Sequence, residues 1–446
     1  MNQPSPGSRV GRIAKTVIAQ ALLVLLLVSV PTAHSANNDN ERLSGVVAPK
    51  ITIVEPSKSS TAPDVFEYRI PTKYSMPTGL AVDSKDRVWF TEMAGNSVGV
   101  LTPGTNEIKE YRIPSTKDLP SSEWEYNQEV KDSPIESLNV YSVGSPGNLI
   151  VGKNDIIWFV THLGNSIVRF EPDKEEFTEF ILPTEDARPY DLAEDSKGNI
   201  WFVEKNGGKL ARLDFEKKKI VEIRLEQGVN LMGMVIDKDD NVWIGDVSGN
   251  YLARYNPTEK KLRRFPIGIP QAQPGNMRLD KKGYIWFCQL RAQQLGVLMP
   301  DPGIFSVVTM PGKNTVPQAI APADDDKVWV VDSMMNRFGY FDTVKLTWSI
   351  FAIPTANSQP MSMDLDSAGD IWFTESGRDA NKIARVVRST VPENGGSSAI
   401  SDMEKEENAK AGKKSGKRRL PVFLAIGLFA VVLIAGFAFS RKAKKN

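Results

Sequence analysis

Two residue types that often build active sites are almost missing: one cysteine, Cys288, and two histidines, His34 and His162, occur among 446 residues. A single cysteine excludes an intramolecular disulfide, so the fold must stand on its core. Cys288, two residues after Trp286, reads as a small buried side chain. An excess of charge of one sign is missing too. With 55 basic and 54 acidic residues the net charge is +1, and no basic stripe crosses the middle of the chain, which leaves nucleic-acid binding without support.

What is present is a beat of tryptophans. Trp89, Trp158, Trp201, Trp243, Trp286, Trp329 and Trp372 are separated by 69, 43, 42, 43, 43 and 43 residues. A unit of about 40–45 residues with four short strand patterns is the sequence form of a β-propeller blade, so the spacing predicts an all-β, seven-bladed propeller. In the first unit the strands read as 77–83, 87–92, 97–102 and 108–113, joined by turns rich in Asp, Gly, Lys and Asn that supply positive backbone angles. The pairs Trp89-Phe90, Trp158-Phe159, Trp201-Phe202, Trp286-Phe287 and Trp372-Phe373 suit blades that bury one aromatic layer against the next.

The phase of the repeat predicts how the ring closes. Pro71, Pro183, Pro311 and Pro354 each end a fourth-strand pattern 18 residues before the next tryptophan. Residues 65–70 are therefore in phase as a fourth strand although no blade precedes them, while the last blade stops after three strands. The fragment 65–70 is expected to supply the outer strand of blade 7 and hide its edge.

The tails read as addresses. Arg9, Arg12 and Lys15 precede an apolar run over 17–30 and the stretch Ala33-His34-Ser35-Ala36, the pattern of a signal peptide over 1–36; an uncleaved anchor is the alternative. Residues 37–64 read as a polar stalk, 65–390 as the propeller with an insert at 115–146, and 391–419 as a disordered tether. Residues 420–440 carry no charge and are long enough for a transmembrane helix, with a basic tail at 441–446; a sorting signal that is later removed is the other reading. Basic residues flank that helix on both sides and do not orient it. A cleaved signal peptide would leave a single-pass cell-membrane protein with its propeller extracellular.

Three residues after each tryptophan, at the end of the second strand, stand Glu92, Thr161, Glu204, Asp246, Gln289, Asp332 and Glu375. A ring of inward carboxylates Glu92, Glu204, Asp246, Asp332 and Glu375 near the channel would need a neutralising cation, with hard oxygen ligands favouring Mg²⁺ or Ca²⁺. The alternative is that these side chains hold backbone amides of neighbouring blades. Lys205 and Arg291, near the same face, would bind an anion or pair with the carboxylates. The insert carries six carboxylates with Trp124, Tyr126 and Tyr141, which suits either a flap over the channel mouth or a solvated loop. The turn Asp237-Lys238-Asp239-Asp240-Asn241 lacks the twelfth-position glutamate of a calcium loop and reads as a hairpin turn.

The phrases Gly79-Leu80-Ala81-Val82-Asp83, Trp89-Phe90-Thr91-Glu92, Asn96-Ser97-Val98-Gly99 and Glu110-Tyr111-Arg112-Ile113-Pro114, with Trp372-Phe373-Thr374-Glu375, resemble the streptogramin (virginiamycin B) lyase family over about 65–388. The resemblance implies a seven-bladed propeller that opens a cyclic depsipeptide at its ester by elimination, with Mg²⁺ held partly by glutamate and a histidine as base. Glu92, Glu204 and Glu375 match the glutamate type. The histidines do not match: two residues after the ring position stand Ala94, Leu163, Asn206, Ser248, Arg291, Met334 and Gly377. At the blade-start position stand Thr78, Gly147, Tyr190, Met232, Gly275, Gln318 and Met361. His162, beside Thr161, is the weak candidate for a catalytic base. Two functions stay open: a membrane-anchored, metal-dependent opener of a cyclic ester or lactone, and a non-catalytic ectodomain that binds a small molecule or a cell-surface protein.

Overall fold

The computed structural model describes residues 49–59, 63–114, 145–225, 230–301 and 303–392, together with the backbone course of 41–46. The signal-peptide region, nearly all of the insert (115–144), the tether from 393 and the apolar run 420–440 lie outside the described residues. Among the described residues no helix is long and apolar enough to cross a membrane.

Seven antiparallel sheets form, four of four strands and three of five. Each begins with a strand that borders the first strands of the neighbouring sheets, for example Pro77–Val82 beside Pro146–Val151, and these seven line a central channel. The tryptophans stand on the second strands, such as Val88–Glu92 and Ile371–Glu375. The hydrophobic core is divided into seven clusters, and each joins two neighbouring blades. One of them packs Leu80 and Phe90 of blade 1 against Trp372 and Ile383 of blade 7. The tryptophan of each blade packs against the next blade, and the residue after it, Phe in five blades, packs against the one before.

The repeated turns have one local cause. In Asp83, Oδ1 accepts the backbone N–H groups of Lys85 and Arg87, each at 2.9 Å, and Oδ2 accepts Trp89 Nε1 at 2.8 Å. Asp195, Asp237, Asp280 and Asp366 hold Trp201, Trp243, Trp286 and Trp372 in the same way. An aspartate six residues before the tryptophan therefore sets the turn and satisfies the indole N–H together. The segment Asp237 to Asn241, compared above with a calcium loop, is one of these turns. Blade 6 has Ala323 at the aspartate position, and Trp329 Nε1 is buried there without a partner.

Closure follows the repeat phase. Val65–Arg69 pairs with Lys382–Val386, with Val65 opposite Val386 and Arg69 opposite Lys382. Asn381, in the left-handed region at φ 48°, ties the joint: its Nδ2 donates to the Thr72 carbonyl at 2.8 Å and its Oδ1 accepts Ser75 Oγ at 3.0 Å. Asparagine tolerates this backbone region better than most side chains.

The segment predicted as a stalk differs from expectation. Glu41–Val46 pairs with the fourth strand of blade 2, Lys50–Ile53 with that of blade 1, and Ser57–Lys58 with Val65–Arg69 of blade 7. The chain runs round the rim and covers three outer edges. Ile51 and Ile53 remain 54% and 70% exposed, so the pairing of Lys50–Ile53 saturates edge N–H and C=O groups without burying these isoleucines. Hydropathy carries no trace of it for that reason.

Candidate functional site

The second strands end in the predicted polar series, and every member is buried. None of them lines the channel cavity, whose wall is made by first strands. Each faces the third strand of its own blade instead: Glu92 is opposite Ser97, Glu204 opposite Lys209, Asp332 opposite Arg337 and Glu375 opposite Lys382. The series is a set of rows running outward along the blades.

Three rows repeat one arrangement. The neighbours of Glu92, Glu204 and Glu375 include the fourth-strand carboxyls Glu110, Glu222 and Glu67. Neither oxygen of Glu92, Glu204 or Glu375 receives a well-formed hydrogen bond from an N–H or hydroxyl group. Burial, and then the facing carboxylate, push Glu204 up to about 8 and Glu375 up to about 9, and raise Glu92 well above the usual range. A buried carboxyl beside a carboxylate keeps its proton, because two negative charges cannot share a dry site. A proton kept on the inner carboxyl would supply the donor that no N–H or hydroxyl provides.

In two of the pairs the outer member is held ionised. Burial pushes Glu67 up, but the hydrogen bond and charge of Lys382 and the Thr355 hydroxyl outweigh it and leave it low. Lys382 Nζ lies 2.7 Å from Glu67 Oε2, and Thr355 donates its backbone N–H at 3.0 Å and its hydroxyl at 2.9 Å. Glu222 is lowered against its own burial by Lys209 and by Thr184, which donates its N–H at 3.0 Å and hydroxyl at 2.8 Å. Glu110 accepts the Thr72 N–H at 3.1 Å and lies 3.4 Å from Lys50. Thr72, Thr184 and Thr355 each follow the proline that closes a preceding fourth strand, so every pair fastens one blade to the exit loop of the one before.

The remaining rows are filled differently. Asp332 meets Arg337 at 3.0 Å and accepts the Val316 N–H at 2.9 Å. Asp246 accepts the Gly249 N–H at 2.8 Å and raises Tyr251, itself pushed up to about 12 mainly by burial. Thr161 and Ser166 share a hydrogen bond of 2.5 Å, and Ser166 donates to Glu179 at 2.7 Å. The resemblance implies Mg²⁺, and the described residues do not fit it: no group of three or more His, Cys, Asp or Glu side chains is placed to hold a metal ion. Glu92, Glu204, Asp246, Asp332 and Glu375 each stay within their own blades.

His162 lies at the mouth between blades 2 and 3. A carbonyl only accepts, so its 2.7 Å contact with the Pro189 oxygen puts the proton on Nδ1. Its ring packs on Tyr190 with centroids 5.6 Å apart and fills the space that a side chain at Gly147 would need. Burial lowers it to about 4, and Lys205 and Arg188 add to the effect. The position repeats: Ser376 donates to the Pro77 carbonyl across the joint of blades 7 and 1, and Leu290 packs over Gly275 in blade 5. His162 is a joint residue. Lys205 covers Tyr190 at 4.8 Å and pairs with no ring carboxylate, while Arg291 is exposed. Cys288 is fully buried, as its place after Trp286 predicts, and burial pushes its thiol far up.

Sequence reasoning missed the fourth-strand glutamates. Their signal was present as an 18-residue spacing, Glu92 to Glu110 and Glu204 to Glu222, and as the Pro-Thr pairs at 71–72, 183–184 and 354–355. It also missed the channel charges Asp191, Arg278 and Asp364.

A virginiamycin B lyase family model matches residues 218–394. The virginiamycin B lyase of Nocardia farcinica is 26% identical over 254 residues, 56% of this chain and 76% of that protein. A solved streptogramin B lyase is similar with a TM-score of 0.62 at 24% identity, over 72% of this chain and 96% of that one. The extracellular domain assigned to a hybrid two-component system of B. thetaiotaomicron gives a TM-score of 0.52 at 16% identity, over 78% of this chain and 46% of that one. With seven blades and the recurring Trp-Phe-Thr-Glu of the second strands, these likenesses make the chain a virginiamycin B lyase-like β-propeller.

Proposed function

We propose that this propeller is a non-catalytic ligand-binding ectodomain. One observation carries the reading: the glutamates that resemble the lyase metal ligands are buried off the channel cavity, each beside a second carboxyl of its own blade. A protonated carboxyl is neither a hard-cation ligand nor a base. No imidazole stands at the positions where the resemblance asks for one, and His162 spends its Nδ1 proton on a blade joint. Fold likeness alone does not carry a reaction across.

In this reading the apolar run 420–440 anchors the chain in the cell membrane and the signal-peptide pattern puts the propeller outside, where its channel meets small molecules. The test is to incubate the full-length protein with a streptogramin B-type cyclic depsipeptide and Mg²⁺ and follow ester opening by mass. An unchanged ring is expected, and a linear product formed in proportion to protein would overturn the reading. Protease added to whole cells should trim the propeller and spare the membrane-embedded stub.

A further inference from the structure

The channel encloses a cavity of about 330 Å³, at the small end of ligand pockets (about 300–1,000 Å³). First strands send polar side chains to it at two levels. At the upper level Asp191 Oδ2 accepts the Met234 N–H at 3.0 Å, Asn276 accepts the Ile320 N–H at 3.1 Å and Ser362 accepts the Leu80 N–H at 3.2 Å. These are latches between blades. Two residues further along each strand, five blades carry Ala, Ile or Val, whereas blade 5 has Arg278 and blade 7 has Asp364.

Asp364 is also latched, through the Val82 N–H at 2.9 Å. Arg278 is the exception. Its hydrogen bond runs from Nη1 to the carbonyl of its own neighbour Met277 at 3.0 Å, and it forms no ion pair with a described residue. Its charge nonetheless reaches across the cavity. Burial pushes Asp191 up to about 6 and raises Asp364, and in both Arg278 is the first influence opposing it. A guanidinium with five donors, two carboxylates with spare lone pairs and open volume between them make an incomplete ionic site.

We propose that Arg278, Asp191 and Asp364 form a binding site for a small zwitterion of amino-acid size, its carboxylate on the Arg278 guanidinium and its ammonium between the two aspartates. Charge complementarity selects this class: a bare carboxylate meets two negative charges and a bare ammonium meets the arginine. The inference rests on the binding reading above and adds the ligand class. In the full-length protein, ligand-observed NMR is to compare β-alanine, acetate and methylammonium as probes. Saturable β-alanine binding is expected, at least about tenfold tighter than either single-charge probe, and lost by at least about tenfold in Arg278→Met. Asp191→Asn with Asp364→Asn removes both charges, leaves one amide oxygen each to accept the Met234 and Val82 N–H groups, and should turn the preference toward acetate. Absence of β-alanine binding, or binding undiminished in Arg278→Met, overturns the site. If that variant does not fold, Arg278→Lys decides, because it loses the two-pronged fork, and undiminished binding overturns the site there too. Ester opening by the wild type would contradict the binding reading whatever Arg278 does, whereas β-alanine held equally well without Arg278 contradicts this site alone.

Discussion

Glu375, at the end of the second strand of blade 7, is buried beside Glu67, which arrives from the other end of the propeller to complete that blade's sheet. The closure of the ring is therefore ionic as well as β-paired, since Glu67 also takes Lys382 and Thr355. Equivalent pairs at Glu204 with Glu222 and Glu92 with Glu110 fasten two further joints.

These pairs make stability fall toward alkaline pH. Glu204 and Glu375 rise in the folded state from 4.5 to about 8 and about 9. Between those limits the folded chain holds more protons than the unfolded chain, so stability is lost as pH rises. Glutamine cannot ionise, and its amide N–H can donate to the facing carboxylate. Thermal melts of Glu204→Gln and Glu375→Gln should match the wild type at pH 5 and exceed it at pH 9. Glu204→Ala should lose about 1–3 kcal/mol at pH 5 by leaving Glu222 short of a partner.

The Asp-Trp latch predicts an asymmetry between blades. Asp366→Ala removes two backbone hydrogen bonds and leaves the Trp372 indole N–H buried and unpaired, at a cost of about 2–4 kcal/mol. Asp237→Ala should behave alike. In blade 6, where Trp329 Nε1 already lacks a partner, Ala323→Asp should raise the denaturation midpoint by supplying one.

How much was legible in the sequence follows from what repeats. The tryptophan period fixed seven blades, and the phase of Pro71 fixed closure by residues 65–70, because both depend on spacing alone. The added strands at 41–46 and 50–53 pair through backbone groups, and Ile51 and Ile53 stay exposed, so no apolar pattern announces them. The carboxylate series was found, but its direction was not. A strand's alternation says which face a residue takes, and the 18-residue step to the fourth-strand glutamate was needed to see that Glu204 looks outward along its blade toward Glu222.

His162 should titrate near pH 4 and stay neutral with Nδ1 protonated at pH 7, which imidazole nitrogen shifts report directly. Its folded value lies below the ordinary 6.5, so its contribution weakens as pH falls from about 6.5 to about 4. His162→Leu, copying Leu290 over Gly275, should fold with a loss of about 1 kcal/mol from the missing joint hydrogen bond.

Deleting residues 65–69 removes the fourth strand of blade 7 with Glu67, strips Lys382 and Glu375 of their partner and opens a sheet edge. Circular dichroism of the deleted chain should show cooperative loss across the propeller, not the fraying of a single blade.

Isotope-edited infrared spectroscopy of glutamate carboxyls in the full-length protein at pH 7, with and without Mg²⁺, reads the protonation of these pairs directly. A protonated-carboxyl band is expected that weakens in Glu204→Gln and again when Glu375→Gln is added, and that saturating Mg²⁺ leaves unchanged. Fully ionised Glu204 and Glu375 whose bands shift on Mg²⁺ binding would contradict that expectation, and would return these residues to the role of metal ligands.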